Sequence, residues 1–135
     1  MKQHILIKWA FLGVFAVGFS IASQAALADI PRDPDLGREY YGIASWYGSG
    51  FQGQRTASGE KFNAKGLTAA HPTLPFGTLV EVSRRDRNKS VVVVITDRGP
   101  FTGRAIDLSR AAARRLHMTY LGTAPVKLQV IGMAE

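Results

Sequence analysis

Four short runs in the middle of the chain each place an ionisable side chain beside a turn-forming residue or at the end of an apolar run. They supply three carboxyl groups, from Glu60, Asp97 and Asp107, and one imidazole, from His71. These are the groups that most often exchange protons with a reacting oxygen, and carboxyl groups are the usual catalysts at a glycosidic bond. The pattern predicts proton transfer to a sugar oxygen. The runs are Thr56–Glu60, Thr68–His71, Thr96–Pro100 and Ile106–Ser109.

Asp97 is the strongest single candidate for a catalytic residue. It directly follows the β-branched run Val91–Ile95, and Arg98-Gly99-Pro100 then forces a turn. A carboxyl group at the point where a strand leaves the core is partly desolvated, which suits general acid work. The alternative is an aspartate that bonds to the amides of its own turn. We favour the functional interpretation.

His71 precedes Pro72 and has small neighbours. Its imidazole can donate or accept a proton near neutral pH, although a structural histidine bonded to the main chain is an equal alternative. A metal site is not expected, because the spacing of His71 and His117 matches no ligand motif. We also expect no organic cofactor.

The other two carboxylates have strong structural alternatives. Glu60, taken alone, is an ordinary exposed glutamate beside Lys61. Asp107 precedes a helix, whose N-terminus a negative charge stabilises, and it could also pair with Arg98 or Arg104. Among the aromatic residues, Trp46 is expected in the core, whereas Tyr47 is a candidate groove residue.

Strand signals dominate the elements that must position these groups. Alternating or β-branched runs predict four strands, and the Val91–Ile95 strand is expected to be buried on both faces. One helix is predicted with Ser109 as its N-cap, and Asn88 is expected to take a left-handed conformation in a hairpin turn. Many short strands, glycine-rich turns and one short helix indicate a compact β-barrel. The predicted elements are strands Gly42–Tyr47, Thr78–Ser83, Val91–Ile95 and Pro125–Ile131 and helix Arg110–Leu116.

The first residues are typical of a secretory signal peptide. Lys8 precedes a charge-free apolar run, and Ala26-Leu27-Ala28 suits a cleavage site. We therefore expect a signal peptide over 1–28, an extended leader over 29–41 and one domain over 42–132.

The composition narrows the expected location and partners. The chain contains no cysteine, which excludes disulfides, thiolate catalysis and the acylated cysteine of a lipoprotein. We expect a soluble periplasmic monomer without a lipid anchor. A net charge of +7 suits an anionic polymer such as the cell wall, and nucleic acid is not an expected partner of an exported protein.

Read together, several motifs closely resemble the rare lipoprotein A (RlpA) family over about residues 42–131. The resemblance implies an all-β fold, the six-stranded double-psi β-barrel of barwin and the expansins. It also implies a lytic transglycosylase, a lyase acting on polysaccharides (EC 4.2.2.-), whose substrate is peptidoglycan stripped of its stem peptides. The motifs are Gly42–Gly48, Thr56–Glu60, Leu67–His71, Leu74–Thr78, Asp97–Pro100 and Ile106–Ser109.

Site residues follow from the same resemblance. The family's catalytic residues correspond to Glu60, His71 and Asp97, and Asp107 is a second-line candidate. Tyr47, Thr68, Arg98 and Asp107 are the expected substrate-binding residues. The lipobox cysteine and the C-terminal SPOR domain of longer members do not occur in the sequence, so we expect neither lipid anchoring nor septal targeting by that domain.

The resulting hypothesis is endolytic cleavage of the β-1,4 bond between N-acetylmuramic acid and N-acetylglucosamine, with Asp97 as the proton donor. The muramyl 6-hydroxyl would then close a 1,6-anhydro ring. The alternative is a non-catalytic protein that binds peptidoglycan or another polysaccharide, as expansins loosen polysaccharide without hydrolysis.

Overall fold

The computed structural model of the protein describes residues 35–135. The predicted signal peptide and the first part of the predicted leader lie outside the described residues. Within residues 35–135, six strands, one short 3₁₀ turn and one α-helix make up the fold. The elements are β1 (Glu39–Trp46), the 3₁₀ turn (Ser49–Phe51), β2 (Thr68–Ala70), β3 (Thr78–Arg84), β4 (Ser90–Asp97), β5 (Ile106–Leu108), α1 (Arg110–Arg115) and β6 (Ala124–Met133).

The six strands close into a barrel in the order β1-β5-β2-β4-β3-β6, and β6 pairs back onto β1. The β1–β5 and β2–β4 pairs are parallel, and the other four pairs are antiparallel. The six-stranded barrel with one short helix is therefore confirmed. No helix within residues 35–135 is long and apolar enough to cross a membrane.

Alternating side chains of the long strands fill the barrel. The predicted alternation of β3 is confirmed, since every second residue is buried. The prediction that Val91–Ile95 is buried on both faces is wrong: Val92 is 40% exposed, so β4 turns only one face to the core. The apolar core contributed by β3, β4 and β6 consists of Val80, Val82, Val91, Val93, Ile95, Ala124, Val126, Leu128 and Val130.

Two local features differ from the sequence-based prediction. Strand β1 begins at Glu39, three residues before Gly42, because residues 39–41 pair with β6. Among the described residues, His117 is the only non-glycine residue with a positive φ, at 53°. Asn88 is therefore not left-handed, and the polar β3–β4 turn closes without that conformation.

The helix begins where the sequence predicts. The Ser109 hydroxyl accepts a hydrogen bond from the Ala112 N–H at 3.2 Å and donates to the Gly66 carbonyl at 2.6 Å. The N-cap thus satisfies a helix amide and also ties the helix to the loop that precedes β2.

Arg84 attaches the end of β3 to the end of the helix. Its side chain is 1% exposed. One nitrogen donates to the carbonyls of Leu116 and His117 at 3.2 and 2.9 Å, and two others donate to the Asp86 carboxylate at 2.8 and 2.6 Å. A single buried guanidinium therefore satisfies main-chain acceptors that a helix terminus leaves open.

We expect Arg84→Met to lower the free energy of unfolding by about 2–4 kcal/mol, because buried carbonyls lose their donors. Urea denaturation would measure the change. Arg87→Met is the matched control, since Arg87 is exposed in the same turn and should cost less than about 0.5 kcal/mol. Equal losses in the two variants would contradict the role given to Arg84.

Candidate active site

Both candidate aspartates lie on one row of residues that crosses four adjacent strands. Ser45 of β1 pairs with Asp107 of β5, Asp107 pairs with Ala70 of β2, and Ala70 pairs with Asp97 of β4. Neighbouring strands lie about 4.8 Å apart, so the two aspartate Cα atoms are about 10 Å apart. The residue between them on this row is an alanine, the smallest side chain that a strand can place there after glycine.

The Asp97 carboxylate receives three hydrogen bonds. Its Oδ1 accepts from the Ala57 and Arg98 main-chain N–H groups, both at 2.9 Å, and its Oδ2 accepts from the Tyr47 hydroxyl at 3.0 Å. The side chain is half-buried. Three donors converging on one carboxyl group fix its orientation at the end of β4.

Tyr47 is held in place by other aromatic rings. Its ring centroid lies 5.2 Å from that of Phe51 and 4.8 Å from that of Phe62. Burial, followed by the neighbouring Asp97 carboxylate, raises the pKa of the Tyr47 phenol, so the hydroxyl keeps its proton at neutral pH. Tyr47, Thr56 and Asp97 line a cleft of about 120 Å³.

Asp107 has a different partner from those the sequence suggested. It accepts a short hydrogen bond from the buried hydroxyl of Ser45. In the part of the chain that the structure describes, it forms no ion pair with Arg98 or Arg104. The serine thus fixes Asp107 on the same row as Asp97.

His71 is buried and uses one ring nitrogen to hold a turn. Its Nδ1 accepts from the main-chain N–H groups of Thr73 and Leu74 at 3.1 and 3.0 Å, so the ring proton resides on Nε2. Burial, and secondarily the charge of Arg98, lower the pKa of the imidazole to about 4. The main-chain N–H of His71 donates to the main-chain carbonyl of Asp97 at 3.2 Å. Within residues 35–135, however, no hydrogen bond joins the His71 ring to the Asp97 carboxylate.

Arg98 holds the same turn from the other side. One of its terminal nitrogens donates to the His71 and Leu74 carbonyls at 3.2 and 2.7 Å. Its guanidinium lies 4.0 Å from the centroid of the Phe76 ring, a distance at which a cation is attracted to an aromatic face. The remaining guanidinium N–H groups are the ones left for a ligand.

Glu60 and Thr68 line a second cleft, of about 140 Å³, rather than the one that contains Asp97. The two clefts adjoin, because Thr56 and Phe62 line both. Glu60 is exposed, and only its carbonyl is engaged locally, by the N–H and hydroxyl of Thr56 at 2.7 and 3.0 Å. The structure therefore brings Glu60 near Asp97 through a shared wall, without direct contact.

Two supports of the site were not predicted from the sequence. Ala57 lies in the Thr56–Glu60 motif, but it acts through its main-chain N–H, in the turn before Gly59, which has a φ of 89°. Ser45 lies in the Gly42–Gly48 motif, but nothing in the sequence links it to Asp107, which lies 62 residues away. Residues 35–135 contain no cluster of three or more histidine, cysteine or carboxylate side chains able to hold a metal ion.

The low pKa of His71 predicts a pH-dependent stability. Between pH 6.5, the ordinary value, and about 4, the unfolded chain binds a proton that the folded protein does not. The free energy of unfolding should therefore fall by up to about 3 kcal/mol as the pH drops through this range. Urea denaturation at several pH values would measure it.

His71→Asn is the matched variant, because its side-chain oxygen can accept the two turn hydrogen bonds but does not titrate. Its stability should change less with pH than that of the parent. An NMR titration giving His71 a pKa near 6.5 would contradict the assignment.

Comparisons with known proteins identify similar sequences over most of the described residues. The protein family described as lytic transglycolase matches residues 40–128. The chain is 51% identical over 101 residues to an endolytic peptidoglycan transglycosylase RlpA of Campylobacter jejuni, covering 74% of this chain and 37% of the relative. It is 58% identical over 91 residues to a probable endolytic peptidoglycan transglycosylase RlpA of Synechocystis, covering 67% and 28%. The chain thus spans about a third of the length of these curated relatives.

Solved structures support the fold. A Streptomyces papain inhibitor superimposes with a TM-score of 0.59 at 25% identity, covering 71% of this chain and 96% of the inhibitor. An expansin of Clavibacter michiganensis gives a TM-score of 0.56 at 23% identity, covering 72% of this chain and 52% of the expansin. Together with the mixed parallel and antiparallel pairing, these matches confirm the double-psi β-barrel. The family match and the identity to curated relatives show that the chain belongs to the RlpA family.

Proposed function

We propose that the protein is an endolytic peptidoglycan lytic transglycosylase. It would cleave the β-1,4 bond between N-acetylmuramic acid and N-acetylglucosamine and leave a 1,6-anhydro-muramic acid end. The observation that carries the proposal is the Asp97 carboxylate, which three donors orient beside an open cleft. The curated names of the relatives support the choice of substrate and reaction.

The two oxygens of Asp97 are suited to different tasks. Two main-chain N–H groups bond to Oδ1, whereas Oδ2 bonds only to the Tyr47 hydroxyl. A hydroxyl group can donate or accept, so Tyr47 can stay bonded whether Oδ2 is ionised or protonated. Oδ2 is therefore the oxygen that we assign to proton exchange.

The reaction would use this oxygen twice. Protonated Oδ2 donates its proton to the glycosidic oxygen as the bond to the anomeric carbon breaks, and an oxocarbenium-like state forms. The ionised Oδ2 then takes the proton of the muramyl 6-hydroxyl as that oxygen attacks the anomeric carbon. The nucleophile belongs to the substrate, so the proton given is replaced by the proton taken and Asp97 returns to its starting form.

The remaining residues would bind or position. Neutral His71 keeps the turn and the β4 end in place and does not itself exchange protons at neutral pH. Asp107, on the same row as Asp97, would stabilise positive charge on the sugar. Glu60 and Thr68 would bind sugar in the adjoining cleft. Arg98 would position the turn, and its remaining guanidinium N–H groups would bind the glycan strand.

The wider setting is also a proposal. The favoured substrate is the peptide-stripped glycan strand, the protein would be exported to the periplasm as a soluble monomer, and no cofactor takes part in the steps above. The positive net charge of the chain favours approach to an anionic wall.

We expect Asp97→Asn to lower the rate of formation of anhydro-muramic acid ends at least 100-fold, because an amide neither gives nor takes the proton. Mass spectrometry of peptidoglycan digests, before and after amidase treatment of the substrate, would measure these ends. Glu81→Gln is the matched control. It removes the same charge from the middle of β3, away from both clefts, and should retain the parental rate.

Three outcomes would overturn the proposal. Full activity of the Asp97→Asn variant would show that Asp97 is not the proton donor. Products with reducing ends would identify a hydrolase. Sedimentation of the protein with insoluble peptidoglycan without any soluble product would favour the non-catalytic, expansin-like alternative.

A further inference from the structure

A wide groove lies along the helix on the side of Tyr47. We call it the helix-side groove; it has a volume of about 740 Å³ and is lined by Gln52, Ala64, Lys65, Arg110, Ala111, Arg114 and Arg115. A cleft of about 470 Å³ shares Gln52, Ala64 and Arg110 with it and extends to Tyr47. Tyr47 also lines the Asp97 cleft. Tyr47 is therefore a common wall of the Asp97 cleft and of the cleft that joins the helix-side groove.

The helix-side groove is strongly cationic. Four basic residues line it, no carboxylate does, and all four are exposed. None of the four forms an ion pair within residues 35–135. The unneutralised positive charge attracts an anion to this groove. The four residues are Lys65, Arg110, Arg114 and Arg115.

Helix stability accounts for only part of this charge. Arg114 and Arg115 lie in the last turn, where a cation complements the helix dipole. Arg110, however, is the first helical residue, where the dipole disfavours a cation. It also lies four residues from Arg114, and like charges at that spacing oppose the helix. A role in binding explains a residue that helix formation disfavours.

The base of the groove is firmly built. The Ala111 N–H donates to the Ala64 carbonyl at 3.0 Å, which fixes the loop against the helix. Ala64 and Ala111 have only methyl side chains, so the longer basic side chains on either side form the walls of an open trough. An elongated ligand bound at Asp97 can therefore continue past Tyr47 into this trough.

We propose that the helix-side groove is a carboxylate subsite that binds the lactyl carboxylate of a muramic acid along the glycan strand. This inference rests on the proposed function, which places the strand in the Asp97 cleft. Every second sugar of the strand bears a lactyl ether, and its carboxylate is free once the stem peptide has been removed. Arginine binds carboxylates through paired N–H donors, and Arg110 and Arg114 present two such groups on one helix face.

The test is equilibrium binding of the full chain to three solubilised glycan preparations: peptide-free strands, the same strands with their carboxyl groups converted to methyl amides, and peptide-bearing strands. We expect amidation to raise the Kd about three- to tenfold, as for the loss of two exposed ion pairs. The double variant Arg110→Gln/Arg114→Gln should raise the Kd for peptide-free strands by the same factor and become insensitive to amidation.

Arg87→Gln/Lys89→Gln is the matched control. It removes the same charge from the β3–β4 turn, at the opposite end of β4 from Asp97, and should bind like the parent. The subsite is wrong if amidation leaves the Kd unchanged or if the two double variants behave alike. Tighter binding of peptide-bearing strands would assign the groove to stem-peptide carboxylates instead. If polyglutamate competes as well as peptide-free strands do, the groove attracts anions in general and is not a muramic acid subsite.

Binding does not require cleavage, so the two proposals can fail separately. If binding depends on the carboxylates but no anhydro-muramic acid ends form, the proposed reaction is wrong and the proposed subsite stands. Cleavage together with amidation-insensitive binding would overturn the subsite alone.

Discussion

Main-chain hydrogen bonding by two three-residue strands is the constraint on which the site depends. Strands β5 and β2 fill the space between β1 and β4, which spans three strand intervals, or about 14 Å. Neither strand is long enough to form without its neighbours. Their registers with β1 and β4 place Ser45, Asp107, Ala70 and Asp97 on one row, so the closure of the barrel and the placement of both carboxylates are the same event.

In the proposed mechanism, the site separates into residues that exchange protons and residues that position them. Asp97 and Tyr47 form the only pair in the Asp97 cleft with a direct carboxyl–hydroxyl contact among the described residues. The side chains of His71 and Arg98 form hydrogen bonds with the main chain of the turn that follows β2. Two main-chain N–H groups bond to Nδ1 of His71, and burial lowers the pKa of its ring, which supports the positioning role that we propose for it.

Alternating residues predicted β3 and β6, a β-branched run predicted β4 and an aromatic-rich run predicted β1. The Ser109 cap predicted the helix, because burial and capping leave local signals. The short strands Thr68–Ala70 and Ile106–Leu108 have too few residues to show a period. The solvent-facing side of β4 could not be foreseen, since a β-branched run looks the same whether one face or both are buried. The motifs identified Asp97, but its Ala57 donor comes from the main chain, where residue type carries little information.

The closed ring of strands has a consequence for how the protein recognises other molecules. Each of the six strands pairs with a neighbour on both sides along at least part of its length, so the barrel leaves only short stretches of β1 and β4 where an extended chain could add by main-chain hydrogen bonding. Most of the surface available to a polymer therefore consists of side chains and loop amides. Selectivity can then change by exchange of a few surface residues while the interior packing stays intact, which leaves this small scaffold free to acquire new ligands.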